Sequence, residues 1–145
     1  MVRVLVNAVV VKDNKILVIK RSLKEKHAPG KWSVPGGSLE IEEGHYVLEN
    51  TARREVFEET GIKIKPKMEL LVNNIFYHTE DKEPVLAIVF FCQYDSGEIK
   101  VDKSEITEAR WIKEEDLNSL EFNHPNVKNY IKKGFQRASE ISTTS

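Results

Sequence analysis

The sequence predicts an α+β fold built on a mixed β-sheet. Strand-like apolar runs fill the chain before residue 21 and return after residue 68. One segment of helical composition separates them, and a second closes the chain. Strands, helix, strands, helix is the order of an α+β arrangement rather than of regular βαβ repetition. At 145 residues the chain has the length of one ordinary domain, enough to bury a core without disulfides or a structural metal. The domain is expected over residues 1–138, with the polar stretch 139–145 as a fraying tail.

Residues 4–11 and 16–20 are β-branched runs, and Lys12-Asp13-Asn14-Lys15 between them reads as a hairpin turn. A lysine-rich loop over 22–31 carries Pro29-Gly30, and a short extended piece from Trp32 runs into Pro35-Gly36-Gly37. Residues 45–60 form the predicted first helix, ended by Gly61, which can take the left-handed conformation that closes a helix. Strands over 68–77 and 85–94 are expected to pair across the polar connection 78–84, and a further short strand lies at 109–112. The second helix, 126–137, places Val127, Tyr130 and Ile131 on one side.

Composition narrows the function classes. With 22 basic and 23 acidic residues the formal charge is −1, which argues against a protein that tracks a nucleic-acid backbone. An anionic small substrate would need local help from a cation or a few placed basic groups. The apolar run from Val4 is broken by Asn7 and ended by Lys12-Asp13, too short to span a bilayer, so the chain is expected to be cytoplasmic without membrane contact. The single Cys92 lies in an apolar strand and reads as inert packing. None of the histidines shows metal-ligand spacing with another, and surface or loop positions are expected for them.

The first helix carries the chemistry. At about 100° per residue, Glu55, Glu58 and Glu59 share an arc roughly 100° wide, which Leu48 and Ala52 enter earlier along the helix. The stripe that should pack on the core thus turns into three acids. They stand near the helix C-terminus, where the macrodipole disfavours anions. Arg54 can pair with Glu58 at i, i+4, but one arginine does not balance three carboxylates. An oxygen-preferring divalent ion, Mg²⁺ or Mn²⁺, would. Pro35-Gly36-Gly37 is open to two readings, a tight turn or a place where backbone groups approach a metal or phosphate closely.

Gly37-x5-Glu43 followed by Arg54-Glu55-Val56-x-Glu58-Glu59-x-Gly61-Ile62 resembles the Nudix box, G-x5-E-x7-R-E-U-x-E-E-x-G-U, where U is aliphatic. The second half matches at every fixed position. Residues 16–22 resemble the family's second strand, and Glu105-x5-Trp111 its late acid and tryptophan strand, so the resemblance covers roughly residues 4–117. One departure is plain: ten residues separate Glu43 from Arg54 where the family has seven. Glu40, Glu42 or Glu49 can therefore stand in for Glu43.

The resemblance implies a mixed β-sheet sandwiched between helices and water attack on one phosphorus of a nucleoside diphosphate derivative. It implies that Glu55, Glu58, Glu59 and the Gly36 carbonyl hold Mg²⁺ or Mn²⁺, that Arg54 positions the acids, and that Glu58 or Glu105 is the base. Gly37 and Arg21 would meet substrate phosphate, with a solvated strand-end charge as the alternative for Arg21. Trp32 is expected to pack.

For the substrate, a proline about sixteen residues past the box, associated with ADP-ribose, is absent at Phe76-Tyr77-His78. Tyr77 falls early for the tyrosine of dinucleoside polyphosphate hydrolases, and as a strand tyrosine it reads as structural. Asn123, ahead of Pro125, resembles the base-contacting asparagine of MutT-type enzymes, which favours a nucleoside triphosphate cut to a monophosphate and pyrophosphate. Two other classes compete. A nucleotide-sensing module on the same fold would lose box acids, and an acidic protein-docking helix would bind no metal.

Overall fold

The computed structural model describes residues 1–25, 28–78 and 80–144, with residues 143 and 144 described by their backbone alone. Strands β1, Arg3–Lys12, and β2, Lys15–Arg21, form the expected hairpin. Asp13 and Asn14 both take positive φ, 50° and 61°. Two left-handed residues in succession make the turn whose twist matches a tight hairpin, and short Asp and Asn side chains tolerate it. The extended piece after the lysine-rich loop resolves into β3, Trp32–Ser33, on β2 and β4, Gly36–Ser38, on β1.

Helix α1 spans Val47–Thr60, starting two residues later than expected because Tyr46 sits in the left-handed region at φ 54°. Gly61, at φ 77°, ends it by donating its N–H to the Phe57 carbonyl. After the two-residue β5, Lys63–Ile64, strands β6, Glu69–Tyr77, and β7, Pro84–Ser96, pair antiparallel as expected. β8, Ile106–Ile112, begins three residues earlier than the sequence suggested and lies along β2. A 3₁₀ helix, Glu114–Ser119, was not anticipated. Helix α2, Pro125–Thr144, continues through the polar stretch that the sequence reading assigned to a tail.

Among the described residues the strands form one eight-stranded sheet. Its centre is the parallel pair β1 and β7, in register from Arg3↔Val85 to Val11↔Gln93; the other pairings are antiparallel. The two faces of β1 feed two cores. Val6, Ala8 and Val10 pack with Ala52 and Val56 of α1, while Val9 packs with Ile16, Val18 and with Val127, Ile131 and Phe135 of α2. The sheet is thus sandwiched between the two helices, as the resemblance implied. The approach of α2 is close at Gly134, where a β-carbon would lie 2.4 Å from Val9 Cγ1. Cys92 is fully buried, and burial pushes its thiol up to about 12, in keeping with inert packing. Among the described residues no helix is long and apolar enough to cross a membrane.

Candidate active site

The acids of α1 are sorted by their angle to the sheet. Thr51, Ala52, Val56 and Thr60 are the buried residues of the helix. The core stripe therefore runs on through Val56 and Thr60, whereas the sequence reading had it give way to acids. Glu59, three residues past Val56 and four past Glu55, falls inside that stripe and is largely buried. Glu55 lies at its margin with 17% of its side chain exposed, and Glu58 outside it with 55%.

Two glycines receive the inner acids. The Gly36 amide donates to Glu59 Oε1 at 2.8 Å. At Gly37 a β-carbon would stand 2.5 Å from Glu55 Cδ, so only glycine leaves room for that carboxylate. β4 pairs Gly36 with Asn7 and Gly37 with Val6, which fixes this turn against the centre of the sheet. Arg54 Nη1 pairs with Glu58 at 3.4 Å, as the i, i+4 spacing suggested, and also with the adjacent Glu55 at 3.2 Å.

Charge at the site is one-sided. Burial pushes Glu59 up to about 8, against the opposing pull of the Gly36 N–H, and the charges of Glu55 and Glu105 push the same way as burial. Burial also raises Glu55; Arg54 opposes this, while Glu58 and Glu105 add to it. Glu105 arrives from the far end of the sequence because β8 lies on β2: the Ser22 N–H bonds to the Glu105 carbonyl at 2.8 Å, and Arg21 is paired with Ile106. Arg21 makes an ion pair with Glu25 at 3.4 Å and lowers Glu59 slightly.

Hard carboxylate oxygens crowded against one another, the innermost raised by burial and by its acidic neighbours, suit Mg²⁺ or Mn²⁺ chemically. Among the described residues no three acids or histidines yet converge as a ligand cage. Glu40, Glu42 and Glu43 are exposed on the loop 40–46 that holds the three extra residues. Glu40 is near enough to Arg54 to raise its pKa. Glu49 stands in the first turn of α1, partly buried.

Beside the acids opens a cavity of about 670 Å³, within the range of small-molecule sites. Arg21, Gly36, Gly37, Glu59 and Asn123 all line it, which brings the expected substrate contacts to one place. Trp32 does not line it; it is buried in the α2-side core with the Arg110 guanidinium 4.5 Å from its ring.

A family model described as NUDIX domain matches residues 1–133. The chain belongs to the Nudix family. A curated relative, the NAD-capped RNA hydrolase NudC of Escherichia coli O1:K1 / APEC, is 36% identical over 112 residues. That match covers 75% of this chain and 38% of the relative, so the Nudix chain spans well under half the length of the curated protein it matches. Among solved structures it is similar to a NUDIX hydrolase from Nitrosomonas europaea, at TM-score 0.78 and 25% identity over 92% of this chain and 88% of that one. It is also similar to the MutT protein from Methanosarcina mazei Go1, at TM-score 0.73 and 26% identity over 96% of each.

Several cavity residues of this Nudix chain escaped the sequence reading. Tyr77, read as structural, is 69% exposed and lines the cavity. His124, read as a surface or loop residue, is partly buried, which lowers its pKa, and its ring lies 4.8 Å from that of Phe76. Its Nδ1 accepts the Asn126 N–H, so the neutral ring carries its proton on Nε2. His27 lies outside the described residues. Arg3 lines the cavity from β1. Period-two alternation puts Arg3 and Asn7 on one face of that strand, but nothing local says that this face borders a cavity.

Proposed function

We propose that this Nudix chain is a divalent-metal-dependent hydrolase that cuts the pyrophosphate bond of a nucleoside diphosphate-linked substrate. The carrying observation is that Glu59, held by the Gly36 amide, lines a nucleotide-sized cavity together with Gly37, the glycine against which Glu55 rests. Glu55 and Glu59 would hold Mg²⁺ or Mn²⁺, with Glu58 joining by a side-chain rotation away from Arg54 and the Gly36 carbonyl as a further oxygen donor. When bound, the ion neutralises phosphate oxygens and makes water more acidic.

The chain's own groups do the rest. Arg54 restrains Glu55 and Glu58 through its ion pairs. Arg21, on the cavity wall, offers a guanidinium to a phosphate oxygen, and Gly37 keeps the wall low enough for that phosphate to approach. Glu58 or Glu105 takes the proton of the attacking water as it bonds to phosphorus and the bridging oxygen leaves. Asn123 lines the cavity with an amide able to read a nucleobase edge.

A nucleoside triphosphate, giving a monophosphate and pyrophosphate, is the first substrate to test. The activity named for the NudC relative makes a dinucleotide joined by a pyrophosphate the second. A panel of both classes with Mg²⁺ and with Mn²⁺, products identified by mass, is expected to show metal-dependent cleavage. Replacing the base, through Glu58→Gln or Glu105→Gln, should lower kcat by roughly 10²–10⁴. Tight binding of a nucleotide without turnover of any panel member would instead indicate a sensing module.

A further inference from the structure

Strand β1 measures the cavity. Its alternate residues Arg3, Leu5 and Asn7 all line the wall. At one end Asn7 is in register with Gly36, whose amide holds Glu59. At about 3.3 Å per residue, Arg3 begins roughly 13 Å back along the strand from that point. The acids that would hold the ion and a second guanidinium thus stand at opposite ends of one wall, with apolar Leu5 between them.

Arg3 is exposed, and its side chain makes no hydrogen bond or ion pair with any described residue. A neighbouring charge that feels it is Asp81, whose pKa falls mainly through the Glu83 N–H, with His78 and then Arg3 adding to the effect. Asp81 already has His78 at 3.5 Å, so the guanidinium of Arg3 stays available to the cavity. A neutral base can stack on a guanidinium there, but it gains less from a permanent cation than an anion does. A phosphate gains more, because the planar fork of arginine meets two of its oxygens at once.

We propose that Arg3 forms a second phosphate subsite, which selects substrates carrying a phosphate on the nucleoside portion, remote from the pyrophosphate that is cut. This rests on the hydrolase reading above and narrows it to nucleoside diphosphates whose ribose bears a further phosphate or phosphodiester. Arg21 and the metal end would take the scissile pyrophosphate, and Arg3 the remote charge.

Two commercially matched pairs test it: NAD⁺ with NADP⁺, and dephospho-coenzyme A with coenzyme A. Within each pair the pyrophosphate is the same and one ribose phosphate is added. kcat/KM is measured with Mg²⁺ for the wild type, Arg3→Gln and Arg3→Lys. The wild type is expected to favour the phosphorylated member of at least one pair by tenfold or more. Arg3→Gln should bring that ratio near one by raising KM for the phosphorylated member, and Arg3→Lys should keep part of it. A wild-type ratio near one in both pairs overturns the proposal, as does an Arg3→Gln effect equal on both members.

If none of the four compounds is turned over, their equilibrium binding in Ca²⁺ to the wild type and Arg3→Gln is compared. Arg3-dependent preference, with no turnover of these compounds or of the nucleoside triphosphates, then refutes the hydrolase reading and keeps the subsite. Binding without preference, or no binding, refutes the subsite.

Discussion

Removing the negative charge of Glu59 while keeping its shape should make the metal-free protein more stable in alkali and leave it unchanged in acid. Glu59 is held near pKa 8 by burial, against an ordinary value of 4.5. Between those values the folded state keeps a proton that the unfolded chain has lost, so stability falls as pH rises through this window. At about 1.36 kcal/mol per pH unit the whole window is worth at most about 5 kcal/mol. Even a third of that would lower the melting temperature by several degrees in a chain of this length.

Glu59→Gln imitates the protonated acid, and its amide oxygen can still accept the Gly36 N–H. The assay is thermal unfolding of both proteins in EDTA from pH 5 to pH 9. Curves within about 1 kcal/mol of each other at pH 5 and a variant more stable by several degrees at pH 9 are expected. Added Mg²⁺ should stabilise the wild type at pH 8–9, where it replaces the proton, and should do much less for the variant. Parallel curves at every pH would show that Glu59 is not held protonated by its burial, and the argument for a cation at this turn would lose its electrostatic basis.

Two further outcomes follow from close contacts. Gly37→Ala puts a β-carbon 2.5 Å from Glu55 Cδ, and because that neighbour is a side-chain end the fold should survive while Glu55 swings away. Mn²⁺ affinity, read by the loss of free-ion electron paramagnetic resonance signal, should drop tenfold or more with little change in melting temperature. Gly134→Ala drives a β-carbon to 2.4 Å from Val9 Cγ1, in a core that cannot retreat easily. The overpacking should cost about 1–3 kcal/mol in urea unfolding, more than the ~1 kcal/mol alanine contributes to the helix.

Near-neighbour chemistry was legible in the chain itself. The Asp13-Asn14 turn, the Gly61 stop, the pairing of β6 with β7 and the Arg54 ion pairs depend on residues a few positions apart. Their geometry is set by local dihedral preferences and by the repeat of the helix or strand. The box acids were likewise readable, since three carboxylates on one helical arc need no tertiary information to be recognised as uncompensated charge.

What the sequence by itself could not decide was how much water each group keeps and what long-range pairing brings beside it. Glu55, Glu58 and Glu59 are chemically identical, yet packing on the sheet buries Glu59, leaves Glu55 at the margin and exposes Glu58. Only the pairing of β2 with β8 sets Glu105 beside Arg21, and only the parallel pairing of β1 with β7 fixes the wall that carries Arg3. Tyr77 and His124 changed from packing and surface residues to cavity wall for the same reason. Desolvation and sheet register arise from contacts between distant parts of the chain, and these exist only once it has folded.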